Sequence, residues 1–170
     1  MKKYIYLAAA ALMLAACTND EMPEAADTDV ALKVNAAISS VSTRASGTAW
    51  ATGDRIGITT TSQTRTQYTN IAYAYSGTAF TAEGAGIYYQ DLDEVTFNAY
   101  YPCAGQDGTS AGTIAKTITA ADQAAEAQPL IDYLFATDAT GSKASPTVNF
   151  TGNAAFKHRM SQISIVFVGG

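Results

Sequence analysis

The single histidine of this 170-residue chain, His158, limits the chemistry open to it. A zinc site built on several imidazoles is excluded by that count alone. As a general acid or base, His158 would need a nucleophile and a positioning partner. The chain has no Gly-x-Ser-x-Gly elbow, no His-Glu-x-x-His pair and no phosphate-binding glycine loop. In "FKHRM", His158 reads as a structural or surface residue at the entrance to the last strand. Asp91, Asp93 and Glu94 offer carboxylate oxygens to calcium, but the rest of a calcium loop is missing, so a solvated turn is the better reading. The ten tyrosines could stack on sugars, yet at strand spacing they read first as the faces of a sheet. Trp50, beside a strand, reads as a residue packed at a core edge. No metal, cofactor or catalytic set is implied, and the chain does not read as an enzyme.

Cys17 and Arg44 carry more specific chemistry. Lys2 and Lys3 are followed by an uncharged, Ala-rich apolar run that ends in "LMLAACTNDE". That is a positive region, a short apolar region and small residues at its end, the layout of a signal peptide over residues 1–16. The run is too short and too rich in alanine to hold a bilayer comfortably by itself. Leu14-Ala15-Ala16-Cys17 resembles a bacterial lipobox. Cleavage before Cys17 would leave its thiol linked to diacylglycerol and anchor the chain in the outer membrane. Each buried methylene contributes about 0.8 kcal/mol, so two or more acyl chains give stable attachment. Asp20, Glu21, Glu24, Asp27 and Asp29 follow with no basic residue among them, so residues 17–29 read as a solvated acidic tether. With Cys17 acylated, Cys103 has no partner and is a free thiol, packed or in a loop.

About 154 residues remain after such cleavage, which fits one domain able to bury a core without disulfides. The net charge of −5 argues against nucleic acid as a partner. Thr, Tyr, Val, Ile and Gly are plentiful and turn clusters recur, so the mix points to β structure.

Alternation then places the strands. In the first, over residues 30–40, Val30, Leu32, Val34, Ala36 and Ile38 share an apolar face. "DRIGITT" follows a Gly53-Asp54 turn, and "NIAYAYS" sets Ile71, Tyr73 and Tyr75 together. "GIYYQ" is a short segment, while "EVTFNAYYP" turns Val95, Phe97, Ala99 and Tyr101 inward and stops at Pro102. "TIAKTITA" is a candidate short strand, and "TAADQAAEAQP" a candidate short helix ending at Pro129. "DYLFATDAT" is either strand or irregular. "PTVNFTG" turns Val148 and Phe150 inward, and "RMSQISIVFV" puts Ile163, Ile165 and Phe167 on one side. Many short strands with hairpin-compatible turns imply an antiparallel β-sandwich over residues 30–170.

Several of these stretches together resemble the fimbrillin (Mfa-like, type V pilus) family of Bacteroidetes lipoproteins. The matching pieces are Cys17, "STRAS" at Ser42–Ser46, "WATGDRIGI" at Trp50–Ile58 and "VTFNAYYP" at Val95–Pro102. Asp122-Gln123, "DYLFA" at Asp132–Ala136 and "VNFTGNAAFKHRMSQISI" at Val148–Ile165 complete the set. "CTNDE" is also similar to the acidic tags of surface-exported lipoproteins in such bacteria. The resemblance implies a transthyretin-like β-sandwich, usually one of two in tandem. The chain ends at Val168-Gly169-Gly170, where one domain would end, as a fragment or as a chain lacking the C-terminal domain.

The resemblance further implies processing by an arginine-specific protease between Arg44 and Ala45, in a polar stretch a protease could reach. Residues alone would make Arg44 an ordinary loop cation. A cut there would separate the first strand from the body. Val30, Leu32, Val34 and Ile38 each contribute about 1.5–3 kcal/mol when buried, roughly 6–12 in sum as an upper estimate. That rivals the ~5–15 kcal/mol stability of a whole domain. A sandwich robbed of this strand would unfold, aggregate or accept a strand from another subunit. The expected role is a structural or adhesive pilus component, or its anchor, with other fimbrial subunits as partners. The rival expectation is a lipid-anchored binding module, for instance for glycans, that does not polymerise. Cys17→Ser should abolish lipid labelling and leave the precursor uncleaved before residue 17; unchanged palmitate incorporation would refute the anchor.

Overall fold

The computed structural model describes residues 28–39, 49–112, 115, 117–124, 127 and 131–159. Their strands are β1 (Val30–Ala31), β2 (Lys33–Ala36), β3 (Arg55–Thr60), β4 (Ile71–Tyr75) and β5 (Phe80–Ala82). They continue with β6 (Tyr88–Tyr89), β7 (Val95–Tyr101), β8 (Leu134–Gly141), β9 (Thr147–Phe150) and β10 (Lys157–His158). An eight-stranded sheet runs in the order β10-β8-β7-β3-β4-β5-β2-β9, and β1 and β6 form a two-stranded one. The long sheet curls over on itself as a β-sandwich, so that β8, near one end of the order, packs against β9 at the other. Pairing is antiparallel throughout the described strands except between β2 and β9, which run parallel. That one parallel pair sits within an otherwise antiparallel sandwich. The chain reaches β9 by a short turn from β8, and this turn brings β9 alongside the first strand in the same direction.

Alternation builds the core where the sequence places it. Ile56, Ile58, Val95, Phe97, Val148 and Phe150 are all fully buried, and Ile87, Tyr89 and Phe156 join them from short segments. Tyr73 reaches into the same core, where its hydroxyl oxygen accepts the Ile87 N–H at 3.0 Å. Burial pushes the Tyr73 phenol up to about 12, so it stays protonated. Ser145 and Ser142 close the β8–β9 turn with paired backbone bonds.

β8 owes its irregularity to a bulge. Phe97 pairs with Ala139 and Ala99 with Ala136, so Thr137 and Asp138 together stand opposite Asn98. Asp138 takes a φ of 61°, and its freed N–H donates to Asn98 Oδ1 at 3.1 Å. The extra residue reverses which positions face inward: Leu134 and Ala136 before it, Ala139 and Gly141 after it. The ambiguous "DYLFATDAT" is therefore a strand whose alternation changes phase midway.

Two other expectations change. Ala121–Gln123 forms one 3-10 turn, and Ala124 is already extended with ψ 144°, so the turn ends well before Pro129. Asp122 accepts the Thr119 N–H at 2.8 Å, which closes a local turn and not a longer helix. The described residues of "TIAKTITA", 115 and 117–120, carry no strand. Residues 160–170, with Ile163, Ile165 and Phe167, lie outside the described residues. β5 has no counterpart in the sequence reading.

Behind β3 the packing leaves no room for a side chain at Gly57. A Cβ there would run into the Tyr100 ring and, at 2.5 Å, Asn70 Oδ1. Asn70 is itself buried with φ 53°; its Oδ1 accepts the Tyr100 hydroxyl at 2.6 Å and its Nδ2 donates to Ala104 O at 2.7 Å. Gly57→Ala should cost about 1–3 kcal/mol through this overpacking. Urea denaturation measures it, and an unchanged midpoint would show that Tyr100 and Asn70 do not close over this position.

Candidate functional site

The first strand lies in a slot with neighbours on both sides. Val30 and Ala31 pair with Tyr89 and Tyr88 of β6, and the Leu32 N–H donates to Ile87 O at 2.8 Å. β2 then runs between β5, through Val34 opposite Phe80, and β9, through Lys33–Ala36 opposite Thr147–Phe150. Beyond β2 the Ala37 N–H donates to Phe150 O at 2.9 Å, and the Ser39 N–H donates to Phe156 O at 2.8 Å. Ile38 forms a parallel bridge with Phe156. The strand is thus an inner member of the sheet, and its loss would bare an edge on each flank.

Its inward face follows the alternation read from the sequence. Leu32 and Val34 are buried, and Val30, Ala36 and Ile38 are partly buried against the same core. Asn35 and Lys33 face outward, and Asn35 Nδ2 donates to Asn149 Oδ1 directly across the parallel ladder at 3.0 Å. The two flanks differ. On the β9 side the ladder is continuous, whereas beside β5 and β6 a cleft of about 400 Å³ opens between the strand and Tyr73, Phe80, Gly86 and Tyr88.

Trp50 closes the end of the slot where β5 has run out. Its Nε1–H donates to Ala36 O at 2.9 Å. Its ring meets Phe80, Phe156 and Tyr101 edge-on, with centroids 5.1, 5.0 and 5.6 Å away. The Gly53-Asp54 turn holds it there. Gly53 takes a φ of 95°, Asp54 Oδ2 accepts the Ala51 N–H at 2.7 Å, and Asp54 Oδ1 accepts the Tyr101 hydroxyl at 3.1 Å. Burial, with Asp54 adding to it, pushes the Tyr101 phenol up to about 12, so it remains the donor in that bond. On the neighbouring surface Arg55 and Glu83 form a bidentate ion pair, which holds the Glu83 carboxyl below its usual range. Both side chains are well exposed, so the pair adds only about 0–1 kcal/mol.

The structure places Trp50 at a core edge, as read from the sequence, but its bond to the first strand was not legible there. The same holds for Phe80, Ile87, Asn149 and Phe156 as walls of the slot. Cys17, Arg44 and Ala45 lie outside the described residues. His158 Nδ1 lies 2.9 Å from Asp132 Oδ1 and 2.8 Å from Oδ2, a largely buried pair that fastens β10 beside the start of β8. Asp91 accepts the N–H groups of Arg65 and Asp93, each at 3.1 Å, and so shapes a turn. Cys103 is half-buried in the loop after β7, where burial pushes its thiol up and lowers its reactivity. A second cleft, of about 540 Å³, is lined by Tyr100, Tyr101, Tyr133, Phe135 and Arg159, with the Arg159 guanidinium 5.1 Å from the Phe135 ring centre.

The fimbrillin-like family profile matches residues 43–170. No match was found among curated proteins. Among solved structures, a candidate cell adhesion protein from Bacteroides ovatus is 34% identical over 76% of this chain and 51% of its own, with a TM-score of 0.50. A fimbrial protein from the same organism is 21% identical over 78% of this chain and 29% of its own, also with a TM-score of 0.50, and shows the fold alone. The chain thus spans about half the length of the first and under a third of the second. With the profile covering most of the residues, the chain belongs to the fimbrillin-like family.

Proposed function

We propose that this chain is a strand-accepting domain of a surface fimbrial subunit, structural or adhesive and not enzymatic. The observation that carries the reading is the seating of Val30–Ser39, bonded on both flanks and separated from the body by a stretch that contains Arg44. On this reading Cys17 is acylated and delivers the chain to the outer membrane. An arginine-specific protease then cuts between Arg44 and Ala45, and the first strand gives way to one from another subunit. An incoming strand meets free ladder groups on two edges and an apolar floor for alternate side chains. Leu32 and Val34 together contribute about 3–6 kcal/mol by burial, enough to hold the resident strand and enough for a similar guest to replace it. The loose β5–β6 flank, with its cleft of about 400 Å³, supports entry from that side. The 34%-identical solved structure, a candidate cell adhesion protein, supports a role at the cell surface.

The tyrosine-lined cleft favours a second reading, a lipid-anchored glycan-binding module that keeps its first strand. The mature N-terminus of surface-derived protein separates the two: Ala45 supports strand exchange, and an acylated Cys17 on all of the assembled protein supports a pilus anchor or the stand-alone module.

Digestion of the chain lacking residues 1–17 with an arginine-specific protease tests the mechanism directly. The product starting at Ala45, confirmed by N-terminal sequencing because Arg55 and Arg65 are also potential sites, should exchange its first strand for a labelled peptide of residues 28–39. Arg44→Ala should block both cleavage and uptake. A stable monomer that begins at Ala45 and neither releases the strand nor takes up peptide refutes strand exchange.

A further inference from the structure

We infer that Trp50 is a specificity gate of the first-strand slot, admitting an extended peptide only when a small residue occupies the position of Ala36. The inference rests on the strand-exchange reading for its biological use, but the gate itself is a property of the folded chain. β5 starts at Phe80, opposite Val34, and offers no ladder partner further along the strand. The Ala36 carbonyl on that flank would lack a donor. The Trp50 indole N–H supplies it at 2.9 Å, so the side chain stands where the next strand residue would be. The ring also rests edge-on against both Phe80 and Phe156. Those two residues flank the strand at Val34 and at Ile38, so the indole spans the position between them.

The resident strand fits this arrangement. It carries Leu32 and Val34 on the buried face, then Ala36 beside the indole, then Ile38 beyond it. A bond to a backbone carbonyl reads no side chain, so Trp50 would grip any strand in register. The indole's bulk is what discriminates by size. Trp50 lies on the body side of Arg44 and is braced by Asp54 and Tyr101, so a cut after Arg44 leaves the gate in place. The ligand class is thus a strand parallel to β9 with two aliphatic residues at alternate positions, a small residue at the next and an aliphatic after it.

Two experiments test this, one without any exchange. In the intact chain, Ala36→Leu should lower Tm in the natural background, and most of that loss should vanish in a Trp50→Val background. Trp50→Phe, which keeps an aromatic ring but not the N–H, should retain the discrimination. Trp50 is the chain's one tryptophan, so its emission reads the slot. In the body starting at Ala45, uptake of the 28–39 peptide should shift that emission to the blue. The peptide with Leu at position 36 should bind at least about tenfold more weakly, and the gap should shrink to about threefold or less in Trp50→Val, read there by a label on the peptide. Equal Tm losses from Ala36→Leu in both backgrounds, or equal binding of the two peptides, overturn the gate. If the body binds neither peptide, strand exchange fails, and the Tm cycle in the intact chain decides the gate alone.

Discussion

The double ladder on the first strand is the constraint on which the rest of the fold hangs. β5 and β9 do not touch each other in the order of the sheet; β2 joins them. Through it the curled sheet becomes continuous from β10 to β9, and Leu32 and Val34 cover the core between Phe80 and Val148. The first described strand therefore completes a sheet built from strands that follow it in the chain. Small β proteins commonly protect their edges with charges or short strands. Here the inner position of the first described strand keeps two edges closed at once, and each is closed only while the slot is filled.

The body around the slot is braced independently of it. Asn70 pins the loop after β7 through Tyr100 and the Ala104 carbonyl, and Gly57 lets that cluster press onto β3. Asp54 fixes the turn that carries Trp50, and the His158–Asp132 pair ties down β10. These polar contacts are satisfied within the body, and no buried side-chain polar atom among the described residues lacks a partner. On the proposed strand exchange, such an arrangement would let the domain keep its shape, since the first strand contributes mainly apolar area and backbone bonds.

Legibility in the sequence followed the regularity of each element. The β7 run Val95–Tyr101 and the β9 run Thr147–Phe150 keep strict alternation, and both were evident. Phe80–Ala82 was missed because three residues between Gly77 and Gly84 are too few to show a period. Leu134–Gly141 is ambiguous because the bulge at Asp138 shifts its phase, and an aspartate tolerates positive φ without requiring it. The fimbrillin resemblance was legible from the order of short motifs such as Trp50–Ile58, none of which is decisive alone.

Residue order alone shows that the chain is β-rich, that Val30–Ile38 has one apolar face, and that Trp50 stands beside a strand. These are local properties, set by side-chain order and the two-residue period of a strand. Tertiary packing sets β9 parallel to the first strand, starts β5 no earlier than Phe80, and gives the Ala36 carbonyl to the Trp50 indole. Ladder partners are chosen by how distant segments pack around one core. A strand's own alternation specifies which face is buried, but not which edge it meets or where that edge ends.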